Sequence, residues 1–232
     1  MTRISVAVLD LAGTTAREDG VVEAAVRAVV HTVTDGGAPP DLAERFHAAR
    51  GGSKIDMLRS VLGGDEGLAR RAHHLFEQDL LHRIESGHVT PMPGAAETFA
   101  GLRHRGIRTA LTTGFSPAIR DRLLDVLGWR ELVDLALSPD DAGRGRPHPD
   151  LIWTAALRLR AESAQHIAVA GDTGNDLLAG TRAGAGIVAG VLTGAHGRER
   201  LQKAPHTHIL DGVGDLVPLI DSHNESVLAS PA

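Results

Sequence analysis

Short apolar segments of β-strand character alternate with helix-like segments along most of this chain. The strand-like segments cover residues 4–9, 106–114, 132–137, 167–170, 186–192 and 208–210. The helix-like segments that lie between and after them cover 94–105, 116–127, 149–160, 174–183 and 213–220. Such alternation predicts βαβ units, and therefore a parallel sheet with helices on both faces. We expect an α/β fold with a Rossmann-like, doubly wound parallel sheet.

Residues 17–90 interrupt this alternation. They carry amphipathic helical patterns over 21–34, 41–49, 53–62 and 65–86, and they show little strand signal. We therefore predict an all-helical cap domain at 17–90, inserted into an α/β core formed by residues 1–16 and 91–221. For residues 222–232, at the end of the chain, we predict a flexible tail.

The composition is that of an ordinary globular protein, with 42% hydrophobic and 23% charged residues among 232. The formal charge of -5 argues against a protein that binds nucleic acid through a basic face. The chain has no cysteine, which excludes disulfides, thiolate metal sites and cysteine nucleophiles. No apolar run is long enough for a signal peptide or a membrane span, so we expect a cytoplasmic protein without a membrane partner.

Carboxylates follow two of the predicted strands. Asp10 ends the first strand, and Asp172 and Asp176 follow the strand at 167–170 in the sequence Gly-Asp-Thr-Gly-Asn-Asp. Taken singly, such residues are more often turn formers or helix caps. The carboxyl ends of parallel strands meet at one edge of the sheet, however, and three carboxylates there would repel one another without a cation. Oxygen ligands without histidine or cysteine favour Mg²⁺.

Two further segments could hold a phosphoryl group. Thr113 and Gly114 end the strand at 106–114, where a hydroxyl and free backbone N–H groups suit a phosphoryl oxygen. Arg146 precedes the helix at 149–160, and its guanidinium could bind either a phosphoryl group or the Asp10 carboxylate through two hydrogen bonds. Each of these residues alone is also compatible with an ordinary strand end or a solvated loop.

The order Asp10, Thr113, Arg146 and Gly-Asp172 resembles the motifs of the haloacid dehalogenase superfamily, and the resemblance covers nearly the whole chain. It implies Mg²⁺-dependent phosphoryl transfer, in which Asp10 attacks phosphorus and becomes an aspartyl phosphate. The Mg²⁺ ligands that it implies are Asp10, the Ala12 carbonyl, Asp172 and, directly or through water, Asp176.

Position 12 departs from the common pattern of that superfamily. Most of its phosphatases carry a second Asp two residues after the nucleophile, which acts as general acid and base, whereas this chain has Ala12. The loss of a general acid costs a factor of about 10² to 10⁴ in rate when the leaving group is a poor alkoxide. The leaving group of this protein's substrate therefore needs no such acid.

The sequence around Ala12 and in the cap resembles the phosphonatases, which hydrolyse phosphonoacetaldehyde. That family has DxAGTT at the nucleophile, an arginine in place of the usual motif lysine, and a cap lysine in a G-x-x-K-x-D-type segment. This chain reads Asp-Leu-Ala-Gly-Thr-Thr from Asp10, has Arg146, and reads Gly-Gly-Ser-Lys-Ile-Asp around Lys54. The resemblance implies that Lys54 forms a Schiff base with the substrate.

The chemistry explains why a lysine is needed. A C–P bond breaks heterolytically only if the departing carbon sheds its negative charge, and a protonated imine on the neighbouring carbon accepts that charge as an enamine. Arginine does not form imines at ordinary pH. Among the 24 lysine and arginine residues, only Lys54 and Lys203 are lysines. We therefore predict a Mg²⁺-dependent hydrolase of a 2-oxoalkylphosphonate, with Asp10 and Lys54 as its catalytic residues.

The small-molecule substrate is expected to contact Thr113, Gly114, Arg146, Thr14 and Arg50. Arg50 and Met57 stand where the phosphonatase pattern has Met and His, so the substrate could be larger than phosphonoacetaldehyde. Two alternatives stay open: a phosphatase of the same fold, acting on phosphoglycolate or a sugar phosphate, and a catalytically idle binding module. Phosphonatases pair through their caps, which implies a possible homodimer.

Overall fold

The computed structural model describes residues 2–229. Its strands are β1 (Val6–Asp10), β2 (Ala16–Arg17), β3 (Thr90–Pro91), β4 (Arg108–Thr112), β5 (Leu135–Leu137), β6 (Ile167–Gly171), β7 (Ile187–Val191) and β8 (His208–Leu210). Its α-helices are α1 (Val21–Val33), α2 (Leu42–Ala49), α3 (Lys54–Val61), α4 (Glu66–Glu85), α5 (Ala95–His104), α6 (Pro117–Leu127), α7 (Asp150–Arg158), α8 (Gly174–Ala183), α9 (Arg198–Leu201) and α10 (Leu216–Ala229). Within the described residues, no helix has the length and the apolar character that crossing a bilayer requires.

β1 lies near the centre of a six-stranded parallel sheet with the strand order β5-β4-β1-β6-β7-β8. β4 pairs with it on one side and β6 on the other, so the order of the strands reverses at β1. The predicted α/β fold with a parallel sheet is confirmed. Ligands of open α/β sheets bind in the crevice at such a reversal, outside the carboxyl ends of the strands.

The side chains of β1 alternate between two layers of the core. Ala7 and Leu9 belong to one buried cluster, whereas Val6 and Val8 belong to the other. All five residues of the strand are buried, as expected for a parallel strand that is covered by helices on both faces. The strand is therefore apolar along its length until Asp10, where the chain reaches the edge of the sheet.

Helices α1 to α4 lie between β2 and β3, and we call residues 18–89 the helical insert. β2 and β3 pair antiparallel, with Ala16 opposite Pro91 and Arg17 opposite Thr90, so the chain leaves the sheet and returns to it at adjacent points. α1 packs against α4. The buried apolar residues of these two helices include Val22, Val26, Val29, Val30, Ala69, Ala72, Phe76 and Leu80.

The C-terminal segment differs from the prediction. Residues 222–229 continue α10 and do not form a flexible tail, while residues 230–232 lie outside the described residues. The Asn224 side chain accepts a hydrogen bond from the Ile4 N–H (2.7 Å) and donates one to the Ile4 carbonyl (3.3 Å). These bonds join α10 to the segment before β1. Because they link residues 220 positions apart in the sequence, no local pattern could have predicted them.

Candidate active site

Three carboxylates meet at the carboxyl ends of β1 and β6. Asp10 is the last residue of β1, Asp172 directly follows β6, and Asp176 lies in the first turn of α8. All three residues are buried, and one carboxylate oxygen from each lies within 4.8 Å of the other two. The structure thus brings together the three carboxylates that the sequence singled out, and we call them the acidic cluster.

Backbone and hydroxyl groups fix the Asp172 carboxylate. Its Oδ2 accepts a hydrogen bond from the Ala195 N–H (2.6 Å), and its Oδ1 accepts one from the Thr14 hydroxyl (3.4 Å). Gly13 and Gly194 lie directly against the same carboxylate, and a Cβ at either position would overlap with it. These two glycines therefore provide the space that Asp172 occupies.

Arg146 bridges the other two carboxylates of the cluster. Its Nη1 donates hydrogen bonds to Asp10 Oδ1 and to Asp176 Oδ1, and all three side chains are buried. The second oxygen of Asp176 accepts a hydrogen bond from the Thr173 N–H (3.0 Å), as part of the capping box that begins α8. Arg146 therefore neutralises part of the negative charge of the cluster and orients two of its members.

Burial dominates the electrostatics of the cluster. It raises the pKa of Asp10 well above its ordinary value, against the opposing effect of Arg146. Burial, together with the charge of Asp176, raises the pKa of Asp172 to about 6. Although burial opposes it, the charges of Asp10 and Asp176 raise the pKa of Arg146, so this cation stays charged. A bound cation would stabilise the ionised form of these carboxylates, which burial disfavours.

The donor set of the cluster fits Mg²⁺. It offers only carboxylate oxygens, which are the ligands of a hard divalent cation. Three carboxylates face the single charge of Arg146, so negative charge is left that such a cation would neutralise. Ala12, whose carbonyl the resemblance implies as a further ligand, lines the same cavity as Asp10 and Asp172.

Residues 50–53 bring the helical insert into contact with the core. The Asn175 side chain donates a hydrogen bond to the Arg50 carbonyl (2.8 Å). Gly51 has a φ of +83°, in the left-handed region that favours glycine, and a Cβ at this position would overlap with Thr173. Residues 50–53 thus contact Thr173 and Asn175, which lie between Asp172 and Asp176 in the sequence.

Lys54 follows this segment as the first residue of α3. Its N–H donates a hydrogen bond to the Gly114 carbonyl (3.0 Å), and Ser53 caps the helix by accepting a hydrogen bond from the Asp56 N–H (3.3 Å). The Lys54 Nζ lies 4.7 Å from the centroid of the Phe115 ring. The backbone therefore holds Lys54 next to the carboxyl end of β4.

The Lys54 amine has an unusual environment. Within residues 2–229 it forms no ion pair, and burial lowers its pKa from 10.5 to about 8, against the opposing charge of Glu18. With such a pKa, about a tenth of the molecules carry a neutral amine at pH 7, whereas an ordinary lysine has well under ~0.1%. Lys54 can therefore act as a nucleophile near neutral pH.

A small cavity of about 30 Å³, which we call the inner cavity, joins the acidic cluster to Lys54. Most of the residues that the sequence singled out line it: Asp10, Ala12, Arg50, Lys54, Thr113, Gly114, Arg146 and Asp172. Thr14 and Asp176 are not part of this lining, and they contact Asp172 and Arg146 respectively. The Thr113 hydroxyl accepts a hydrogen bond from the Phe115 N–H (3.2 Å), which orients its side chain.

An outer cleft of about 900 Å³ adjoins the inner cavity. Residues that line both spaces are Lys54, Met57, Gly114, Phe115 and Arg146. Lys54 therefore lies where the two spaces meet, whereas Asp10 lines only the inner cavity.

The inner-cavity residues that sequence reasoning did not identify include Glu18 and Phe46. The Glu18 carboxylate accepts a hydrogen bond from Arg50 Nη2 (2.9 Å), and the Arg50 guanidinium carbon lies 5.4 Å from the centroid of the Phe46 ring. Arg50 is thus paired with a carboxylate of the protein itself. Neither residue belongs to a motif, so no signal in the sequence marked them.

Residues 4–184 match the family model of haloacid dehalogenase-like hydrolases. The match covers well over half of the chain and includes the whole acidic cluster, Lys54 and Arg146. The chain therefore belongs to this family of hydrolases.

Three similar proteins carry more specific descriptions. A phosphonoacetaldehyde hydrolase from Bacillus cereus is 31% identical over 128 residues, which are 53% of this chain and 47% of that protein. The match thus spans about half the length of this curated relative.

A phosphonoacetaldehyde hydrolase-like protein from Oleispira antarctica superposes with a TM-score of 0.82 at 22% identity, over 99% of this chain and 96% of that one. A predicted phosphoglycolate phosphatase from Haemophilus somnus has a TM-score of 0.80 at 17% identity, over 94% of this chain and 99% of that one. The last two similarities concern the fold.

Proposed function

We propose that this protein hydrolyses the C–P bond of a 2-oxoalkylphosphonate, either phosphonoacetaldehyde or a close analogue. The observation that carries the proposal is that the Lys54 amine and the Asp10 carboxylate line the same inner cavity. Arg146 already supplies a cation that contacts Asp10, so a phosphatase mechanism leaves the second cation, the Lys54 amine, without a task. The curated phosphonoacetaldehyde hydrolase that resembles half of the chain supports the same reading.

The first stage of the proposed reaction takes place at Lys54. The neutral amine attacks the substrate carbonyl, and loss of water together with uptake of one proton from solvent leaves a protonated imine between Nζ and the former carbonyl carbon. The Asp10 carboxylate then attacks phosphorus, a P–O bond forms, and the C–P bond breaks. The electron pair of that bond moves into the imine to give an enamine, which explains why Ala12 can stand where phosphatases need an acid.

The second stage restores the protein. The enamine takes up a proton at carbon, and water hydrolyses the resulting imine to release the carbonyl product and free Lys54. A second water hydrolyses the aspartyl phosphate at Asp10. Thr113 and Arg146 bind phosphoryl oxygens during transfer. Mg²⁺ held by Asp10, Asp172 and the Ala12 carbonyl, with Asp176 in support, would neutralise charge on those oxygens.

The decisive experiment compares Lys54→Arg with Lys203→Arg, since these variants remove the two lysines of the chain one at a time. We expect Lys54→Arg to lower Mg²⁺-dependent phosphate release from phosphonoacetaldehyde by about 10³-fold or more, a barrier increase of ~4 kcal/mol. Lys203 is exposed and pairs with Glu199, so its variant should match the wild type. Borohydride with the substrate should trap Lys54 covalently. Turnover of phosphate esters that is indifferent to Lys54→Arg would instead identify a phosphatase.

A further inference from the structure

Glu18 is the one carboxylate in the lining of the inner cavity that does not belong to the acidic cluster, within residues 2–229. It lies between β2 and α1, on the helical insert, as Lys54 does. The proposed reaction gives a task to each of the other charged residues of this cavity apart from Arg50. The proposed reaction therefore leaves Glu18 without an assigned role.

Hydrogen bonds to both of its oxygens fix the position of the Glu18 carboxylate. Oε2 accepts a hydrogen bond from the Val22 N–H (2.9 Å) in the first turn of α1, and Oε1 accepts one from Arg50 Nη2 (2.9 Å). Its side chain is 15% exposed. A carboxylate with two fixed partners and little access to water stays at one point of the cavity wall.

Lys54 is surrounded by charges of both signs. Arg50 and Arg146 disfavour a positive charge on Nζ, whereas Glu18 and Asp10 favour it, and after burial Glu18 has the largest effect of the four on the Lys54 pKa. On the side of the outer cleft, the titratable and charged residues of the lining are Asp56, His73, Glu77, Asp140, Arg144 and His148. Asp10 and Glu18 are each paired with an arginine, but the proposed reaction uses Asp10 at phosphorus, so Glu18 is the carboxylate left to balance charge on Lys54.

We propose that Glu18 is a positioning residue whose carboxylate is the counter-ion of the Lys54 nitrogen across the inner cavity. The part of this inference that concerns the imine rests on the proposed function. A protonated imine is a stronger acid than the ammonium group from which it is made, and a neutral imine cannot accept the electron pair of the C–P bond. A fixed negative charge keeps the imine protonated through bond cleavage, and no proton has to move to or from Glu18.

The first test needs no substrate. Competitive acetylation followed by peptide mass spectrometry gives the pKa of Lys54 from the pH dependence of its labelling, and Lys203 in the same molecules serves as the internal reference. We expect Glu18→Gln to lower the Lys54 pKa by about one unit, Glu18→Asp to change it less, and neither variant to affect Lys203. An unchanged Lys54 pKa in Glu18→Gln would overturn the proposal.

A second comparison separates a direct effect of Glu18 from one that acts through Arg50. Glu18→Gln is introduced both into the wild type and into Arg50→Gln. A direct counter-ion lowers the Lys54 pKa in both backgrounds. A shift that disappears in the Arg50→Gln background would mean that Glu18 only neutralises Arg50, and this too would overturn the proposal.

The third measurement connects the counter-ion to turnover. We expect Glu18→Gln to lower kcat more than it raises KM for phosphonoacetaldehyde, and to move the alkaline limb of the kcat profile to lower pH by about one unit. Failure of borohydride to trap Lys54 in the wild type would reject the proposed function alone, because the labelling experiments still decide whether Glu18 is the counter-ion. An unmoved alkaline limb in an active variant would reject the role of Glu18 in the reaction.

Discussion

Two of the three cationic residues that line the inner cavity, Arg146 and Lys54, differ in their chemistry because their surroundings differ. Arg146 lies between Asp10 and Asp176, whose charges raise its pKa despite its burial. Lys54 has no ion-pair partner within the described part of the chain, and burial lowers its pKa to about 8. The guanidinium is therefore a permanent charge, whereas the amine can lose its proton near neutral pH. In a chain that uses arginine for nearly every positive charge, a lysine stands at the position where the proposed chemistry needs an amine.

The buried contacts of Arg146 predict a large effect on stability. Arg146→Met leaves the buried carboxylates of Asp10 and Asp176 without their partner, and we expect the free energy of unfolding to fall by about 3–5 kcal/mol without divalent cations. Urea unfolding measures this change. The matched control is Arg144→Met, which removes an exposed guanidinium that pairs with Asp150 and should cost less than about 1 kcal/mol. Equal losses in the two variants would contradict the prediction.

Among the structural elements, the turn before α3 has the most direct connection to the site. Residues 50–53 contact Thr173 and the first turn of α8 at Asn175, and the N–H of the following Lys54 donates a hydrogen bond to the Gly114 carbonyl after β4. The position of Lys54 relative to Asp10 is therefore set by backbone contacts between the helical insert and the core. A small displacement of this turn should affect catalysis more than folding.

Gly51→Ala tests this expectation. The added Cβ would overlap with Thr173 and must displace the turn, so we expect kcat/KM to fall by about 10- to 100-fold. The control is Gly64→Ala, which has a similar backbone conformation with a φ of +88° but no atom within 4 Å of the new Cβ. Both variants should lose about 1 kcal/mol of unfolding free energy from left-handed strain, while the control keeps its activity. A comparable loss of activity in Gly64→Ala would argue against a specific role for the turn.

The elements of the core could be predicted from the sequence because their signals are local. Each buried strand is a short apolar run that ends in a turn, and the carboxyl ends of such strands meet by the geometry of a parallel sheet. Two features could not be predicted in this way. The last turns of α10 depend on hydrogen bonds between Asn224 and Ile4, and the role of Glu18 depends on how the helical insert lies over the core. Both depend on contacts between distant parts of the chain, which leave no periodic pattern in the sequence.

On the scale of the whole molecule, the two parts of the chain contribute different halves of the site. The core provides the acidic cluster, Thr113 and Arg146, while the helical insert provides Lys54, Arg50 and Glu18. In terms of the proposed function, the core carries the chemistry at phosphorus, and the insert carries the chemistry at the carbonyl. The family match makes the chain a hydrolase of the haloacid dehalogenase type, and under the proposed function the residues of the insert decide which bond is broken.

The acidic cluster predicts how Mg²⁺ and pH together affect the stability of the molecule. Burial, and then Asp176, raise the pKa of Asp172 from 3.8 to about 6, so the folded state binds an extra proton between these values. Without metal, the free energy of unfolding contributed by Asp172 therefore falls as the pH rises through this window. Mg²⁺ requires the ionised carboxylate, so its stabilising effect should grow over the same window and be largest above about pH 6.

At pH 7.5 and a Mg²⁺ concentration of about 100 times Kd, we expect ~2.7 kcal/mol of stabilisation, or a rise in Tm of about 5–10 °C. Thermal unfolding at pH 5 should show less than about half of this rise, and Asp172→Asn should show little of it at either pH. The same rise at pH 5 and pH 7.5, or an undiminished rise in Asp172→Asn, would contradict a Mg²⁺ site at the acidic cluster.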